Sequence, residues 1–327
     1  TIDIPSVGGT VARIGQPLRV ASTSFANTSN LAAPMVIGGN EQATVQEGAL
    51  PEYMSGFIAG GYVDGDSAPM PAAIATARDN FDGWYIAGGI ETLIDDETAI
   101  GFALSYSKMD SSGSVAANTA DATLAQGTLY GKYQSASGFT LDSQVTAGIL
   151  DSRTKRTVGF VGTNYTLQAD DSALAFSSEV GLGYKIDAGA LAVKPRVAWR
   201  TTFIDFSRTA ETGGPVAMVY DRQPVSSSQL RGGLTFAGNG TSVKPFLTGT
   251  YVYDLGDRPE AFLANFVGGA GPGALFRLSS HDRDWAEVAG GLTVNTGSVD
   301  VSIAAETTIG RRDVMNRSVR GSIGFHF

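Results

Sequence analysis

An alternation of residue character with period two is the feature that most constrains this chain. From Arg317 to Phe327 the odd positions carry Arg317, Val319, Gly321, Ile323, Phe325 and Phe327. The even positions carry Ser318, Arg320, Ser322, Gly324 and His326. That period belongs to a β-strand with one apolar and one polar face. The pattern continues backward along the chain. Val299, Val301, Ile303, Ala305 and Ile309 oppose Asp300, Ser302, Glu306 and Thr308, and Ala286, Val288, Leu292 and Val294 oppose Trp285, Glu287 and Thr293. In 193–206, Val193, Val197, Trp199 and Phe203 oppose Lys194, Arg196, Arg200 and Thr202. In 174–186, Leu174, Phe176, Val180, Leu182, Tyr184 and Ile186 oppose Ser177, Glu179 and Lys185, and in 139–149, Phe139, Leu141, Val145 and Ile149 oppose Thr140, Asp142, Gln144 and Thr146. Apart from Arg317, the charges named here fall on one face only.

A soluble sandwich and a membrane barrel share this period, so the connections must separate them. Strands are predicted near 52–63, 82–93, 98–108, 121–134, 139–152, 173–186, 191–206, 226–237, 241–254, 283–294, 298–309 and 317–327. Every link after an even strand is short: 94–97, 135–138, 187–190, 238–240 and 295–297. Each carries Gly, Asp, Asn or Ser, the residues of tight hairpins. Links after odd strands are mostly long: 64–81, 109–120, 153–172, 207–225 and 255–282, with 310–316 shorter. Outer-membrane barrels have an even strand count, short turns at one end and longer loops at the other. A sandwich has no reason to sort its loops by parity. No apolar run approaches the roughly 18 residues of a membrane-spanning helix, and a chain that crosses a bilayer without one must close its backbone hydrogen bonds in a barrel. The mean hydropathy near zero fits lipid-facing residues that alternate with lumen-facing ones. The expected fold is therefore all-β: a transmembrane antiparallel up-and-down β-barrel of twelve strands over 52–327, both of its ends on the short-turn, periplasmic side. Residues 1–51 form a separate N-terminal segment.

Aromatic residues support this reading. Trp84, Tyr106, Trp199, Phe203, Tyr251 and Tyr253 fall near strand ends or on the lipid face, where belts of Trp and Tyr sit at headgroup level. Glycine pairs inside strands (Gly60-Gly61, Gly88-Gly89, Gly232-Gly233, Gly290-Gly291) weaken a soluble sheet but permit curvature in a barrel. With no cysteine, disulfides, thiolate catalysis and Cys-based zinc sites are excluded. A net charge of −9 argues against a nucleic-acid partner. No signal peptide is visible at Thr1, so the chain reads as mature, trimmed or a fragment.

At this point a family resemblance enters. The stretch Tyr53–Phe327 resembles the translocator β-domain of autotransporters, the type V secretion proteins. Ser55-Gly56-Phe57-Ile58-Ala59-Gly60-Gly61-Tyr62 opens it, and Ile100-Gly101-Phe102-Ala103-Leu104-Ser105-Tyr106-Ser107 follows. Tyr253-Asp254-Leu255-Gly256-Asp257-Arg258-Pro259 and Asp282-Arg283-Asp284-Trp285-Ala286-Glu287-Val288 come later, and Val319-Arg320-Gly321-Ser322-Ile323-Gly324-Phe325-His326-Phe327 closes it. Each piece is weak alone; their order and spacing carry the resemblance. It implies a monomer that sits in outer-membrane lipid, is inserted by the barrel-assembly machinery and displays an upstream passenger outside the cell. Phe325 and Phe327 look like the signal that the machinery reads, although Ser322 stands where the family usually has glycine. It also implies that residues 1–51, a linker or passenger remnant, thread the lumen. Lumen-facing Glu91, Asp142, Glu179, Lys194, Arg196, Arg200, Arg231 and Glu287 would then hold that segment, as well as one another. The family's helix before the barrel is not evident, because Pro5, Gly8, Gly9, Gly15, Pro17, Pro34, Gly38, Gly39 and Pro51 interrupt every helical window. The family's self-cleaving asparagine therefore does not transfer.

The alternative is a diffusion channel for small anionic solutes or oligosaccharides, with Lys194, Arg196, Arg200 and Arg231 supplying selectivity. Catalysis is not expected, nor is a cofactor. Thr28-Ser29 before Ala32-Ala33-Pro34 faintly echoes a subtilisin nucleophile box, but no histidine lies in the first 280 residues to serve as base. His281 and His326 have no predicted serine partner on the lipid face for a barrel phospholipase. The acidic turns at Asp64-Gly65-Asp66, Asp95-Asp96-Glu97 and Asp110 lack the spacing of an EF-hand loop. Gly268–Gly273 lacks the lysine and the strand–helix context of a phosphate cradle.

Overall fold

The computed structural model describes residues 54–326 apart from 68–78, 96, 113–118, 161, 221–222, 241, 256–260, 268–273, 278–281, 297–298 and 313. The predicted N-terminal segment 1–51, His281, the Gly268–Gly273 stretch and Phe327 lie outside the described residues.

Twelve long strands follow one another: β1 (Met54–Ser67), β2 (Asp79–Asp95), β3 (Thr98–Ser112), β4 (Thr119–Gln134), β5 (Phe139–Phe160), β6 (Thr163–Tyr184), β7 (Leu191–Phe206), β8 (Gln223–Gly238), β9 (Val243–Asp254), β10 (Asp284–Asn295), β11 (Val299–Ile309) and β12 (Val314–His326). Each pairs antiparallel with its sequence neighbours. The ring closes where β1 meets β12, in register from Ser55↔His326 to Ser67↔Val314. Up-and-down pairing follows from the two classes of connection, because a tight turn can only join antiparallel neighbours. At Gly138 the backbone has φ +96°, and a side chain there would run into the Lys185 carbonyl 2.6 Å away; only glycine fits this turn.

The alternation settles which face is outside. Along β3, Ala99, Ala103 and Met109 are buried, while Phe102, Leu104 and Tyr106 are exposed. The exposed set is the apolar one, as at Leu174, 68% exposed, which is the inverse of a soluble protein. Near the loop end the outer face carries a belt: the Trp84 and Tyr106 rings pack with centroids 5.7 Å apart, and the Tyr62 hydroxyl donates to Asp82 at 3.2 Å. Alongside it runs a charged cross-strand row, Arg317–Asp64–Asp82–Asp110–Asp121–Arg153–Asp170, each residue paired in register with the next. Charge at this level marks where the hydrocarbon ends, since lipid-facing charges are costly at the bilayer midplane and nearly free at its rim.

The loop end departs from the sequence reading in two places. The predicted loop 153–172 is mostly strand. β5 and β6 are 22 residues each, about twice what a bilayer requires, and pair without interruption from Phe139↔Tyr184 to Phe160↔Thr163. They form a two-stranded arm that rises past the rim. The predicted loops 207–225 and 255–282 contain short strands, Thr209–Ala210, Met218–Tyr220, Ala261–Phe266 and Ala274–Arg277, joined in a second, four-stranded sheet. At the turn end, Ile186–Ala188 is a separate short strand against the start of β7.

The barrel lumen as candidate functional site

The inward positions sort into two levels. Toward the turn end lies an ionic ladder. Asp142 on β5 takes both ends of the Arg196 guanidinium from β7, with Nε at 3.1 Å from Oδ1 and Nη2 on Oδ2. The same Arg196 Nη2 donates to Glu179 Oε1 on β6 at 2.7 Å, and the other oxygen of Glu179 accepts from Arg200 Nε. On the adjoining strands Arg231 of β8 pairs with Glu287, near the loop end of β10, and donates to Gln229 Oε1 at 3.2 Å. The Trp285 indole donates to Glu287 Oε1 at 2.9 Å, while the Arg311 guanidinium lies 4.2 Å over the Trp285 ring. Arg320 of β12 comes within 3.7 Å of Glu306 on β11. The strands place these groups together by register: Glu179 is opposite Arg200, so cross-strand partners of opposite sign face each other on the same side of the sheet.

All eight residues singled out from the sequence as lumenal lie on inward positions. Asp142, Glu179, Arg196, Arg200, Arg231 and Glu287 belong to the ladder. Lys194 is buried on β7 opposite Thr235 of β8, and Glu91 is half-buried beside the Tyr130 hydroxyl. Sequence reasoning left out Glu306, Arg320 and Arg311. The first two stood on the polar side of the alternation and could have been included. Phe325 is half-buried at the seam, between Gly56 of β1 and Val299 of β11.

The second level was not anticipated. Above the ladder, toward the loop end, the lumen is apolar over half of its circumference. Val63, Phe81, Met109, Leu124, Leu150, Ile204, Phe206 and Val314 form one buried cluster running from β12 through β1 to β7. A purely polar lumen, the expectation from alternation, is thus corrected. On the wall of β1 and β2, Tyr85 lies over its register partner Gly61, whose added Cβ would sit 2.5 Å from Tyr85 Cε1 and 2.8 Å from the Val319 carbonyl. Hydroxyl pairs such as Thr128–Thr146 at 2.9 Å and Thr293–Ser302 at 2.8 Å line the remaining wall. Among the described residues, no group of three or more His, Asp or Glu is arranged to hold a metal ion.

A closed twelve-stranded antiparallel barrel with a lipid-facing apolar exterior and an ion-paired lumen defines an integral β-barrel of the outer-membrane type. Residues 59–306 match the autotransporter β-domain family, and the chain belongs to that family. Among solved structures, the translocator domain of the autotransporter NalP from Neisseria meningitidis superimposes with a TM-score of 0.73 at 13% identity, covering 94% of this chain and 99% of that one. The β-domain of the Bordetella autotransporter BrkA gives 0.57 at 14% identity, covering 84% of this chain and 99% of that one. A toluene transporter from Ralstonia pickettii, TbuX, gives 0.54 at 10% identity over 85% and 90% of the two chains. At such identities these likenesses establish the fold alone. No curated protein sequence matches the chain.

Proposed function

We propose that this barrel is the translocator of an autotransporter, carrying a passenger joined to its N-terminal side across the outer membrane and displaying it at the surface. The family match over residues 59–306 carries the reading. In it, the barrel is a monomer with its loop end outside the cell. Residues 1–51 thread the lumen, and the barrel domain spans 52–327. Glu91, Asp142, Glu179, Lys194, Arg196, Arg200, Arg231 and Glu287 contact the threaded segment while neutralising one another. Phe325 and Phe327 are the signal for the barrel-assembly machinery. The barrel performs no catalysis; its work is to hold a water-filled or chain-filled path through lipid.

The experiment places a signal peptide and an epitope-tagged reporter ahead of Thr1, in a Gram-negative host, and adds protease to intact cells. Loss of the reporter with retention of a protected, heat-modifiable barrel is the expected result. A reporter that stays protected beside a correctly inserted barrel refutes export and leaves a diffusion channel as the function.

A further inference from the structure

The arm formed by β5 and β6 carries a buried ion pair that no membrane-spanning role explains. Arg156 and Glu211 are each 2% exposed. Arg156 Nε donates to Glu211 Oε1 at 2.7 Å and Nη2 to Oε2 at 2.6 Å, a two-pronged contact, and Nη2 also reaches the Val216 carbonyl at 3.2 Å. Glu211 accepts two more bonds, from the Met218 backbone N–H at 2.9 Å and the Tyr220 hydroxyl at 2.8 Å. Leu167, Val216 and Ala217 form an apolar cluster with Tyr165 at the same place. A buried, two-pronged pair of this kind fixes one arrangement of its two segments, and losing one partner strands a buried charge.

The side of the arm matters. On β5 the inward positions are even, from Asp142 through Leu150 and Thr154 to Arg156; on β6 they are odd, from Glu179 through Ala173 to Leu167. Segment 209–220 is therefore packed on the face of the arm that continues the lumen wall, not on its outer face. Beside that face, Thr212 is tied to the free edge of β6 by backbone bonds in both directions with Gln168, 3.0 and 2.8 Å. From the next loop round the mouth, Ala261–Phe266, in the connection between β9 and β10, pairs with Met218–Tyr220, and the Val267 N–H reaches the Ala217 carbonyl at 2.9 Å. The short sheet thus joins the arm to the connections β7–β8 and β9–β10.

We propose that residues 209–220 are a lid over the loop end of the pore and that Arg156–Glu211 is its latch. The lid stands independently of the passenger and of residues 1–51, because every group in it belongs to the barrel's own loops. It gives the barrel a way to seal its outer mouth.

The absence of cysteine makes the test direct. In the purified full chain in detergent micelles, Gln168→Cys with Thr212→Cys places two thiols at a hydrogen-bonded antiparallel pair, a geometry within disulfide range. The pair is expected to oxidise readily, and Glu211→Gln in that background to slow the cross-link by about tenfold or more, the factor that corresponds to losing a small part of a buried pair. A single Thr154→Cys, one rung beneath the latch on the inward face, is expected to react slowly with a charged maleimide and about tenfold faster once Glu211→Gln is added. Heat-modifiable migration confirms that each variant has assembled. Failure of the paired cysteines to cross-link in an assembled barrel, or labelling at Thr154→Cys that ignores Glu211→Gln, overturns the lid.

Discussion

The ionic ladder predicts a graded response to single charge removals. Glu179 is the pivot: 5% exposed, it bridges Arg196 and Arg200, the second of them 6% exposed. Glu179→Gln keeps the size but leaves Arg200 without the carboxylate that accepts from its Nε. Stranding a buried charge in this way costs about 3–5 kcal/mol, and the water of a polar lumen argues for the lower end, about 3 kcal/mol. Asp142→Asn removes one of two anions from Arg196, which keeps Glu179 at 2.7 Å, so the cost falls to that of one charge-assisted hydrogen bond, about 1.5 kcal/mol. Asp170→Asn breaks a bond of similar length, 2.5 Å to Arg153, but both side chains are more than half exposed, and the cost is below about 1 kcal/mol. Urea unfolding of the three variants in micelles, followed by tryptophan fluorescence, measures the series. The double variant Glu179→Gln/Arg200→Met is expected to recover part of the loss, because it removes the stranded cation as well. If Glu179→Gln costs no more than Asp170→Asn, the ladder is solvated rather than structural, and the assignment of energy to its burial is wrong.

Three further outcomes are expected. Gly61→Val sets a branched side chain against both Tyr85 and the Val319 carbonyl, whereas a Cβ at Gly249 meets nothing within 4 Å; assembly yield, read as the heat-modifiable fraction, drops for the first and holds for Gly249→Ala. Arg311→Ala removes the cation over the Trp285 ring and costs about 2 kcal/mol with a shift in tryptophan emission, since a desolvated cation–π contact is at the strong end of its range. Where β2 ends in its turn, Asp95 accepts the Glu97 N–H at 2.9 Å, and that bond holds its carboxyl below the ordinary range. A depressed carboxylate stabilises above its unfolded pKa and ceases to as pH falls through the folded one. Protection of the Glu97 amide, its exchange measured against the intrinsic rate at each pH, is therefore expected to fall at acid pH in the wild type, and Asp95→Ala to show low protection without that pH step.

The barrel was legible because lipid imposes one rule on every strand. Leu174, Phe176, Val180 and Leu182 must face hydrocarbon, so the alternation survives even where the residues between them vary. The same rule placed the charges of β5 to β8 and β10 on the inner face. It fails above the membrane. From Ser152 to Thr157 the chain reads Ser-Arg-Thr-Lys-Arg-Thr, with no apolar face, because this part of the arm meets water outside and a polar latch inside; hydrophobic periodicity has nothing to report there. The apolar half-ring was hidden for the opposite reason. Phe81, Leu124 and Leu150 are apolar on the inward face, a choice that side-chain packing inside the pore favours. The pairing of Arg156 with Glu211 joins residues far apart in sequence and waits on the fold of two loops.

The seam between β1 and β12 has a consequence for the order of events. The first and last strands are hydrogen-bonded neighbours, so the ring cannot exist before the final strand has arrived. Until then β1 and β11 are two bare edges, and a bare edge in lipid strands backbone N–H and C=O groups with no water to take them. A contact that joins the two extremes of a domain is also among the slowest to form by chance. Closure is therefore a single late step rather than a gradual one. A chain halted before Val314 yields not a smaller pore but an open sheet, with nothing in the bilayer able to complete it.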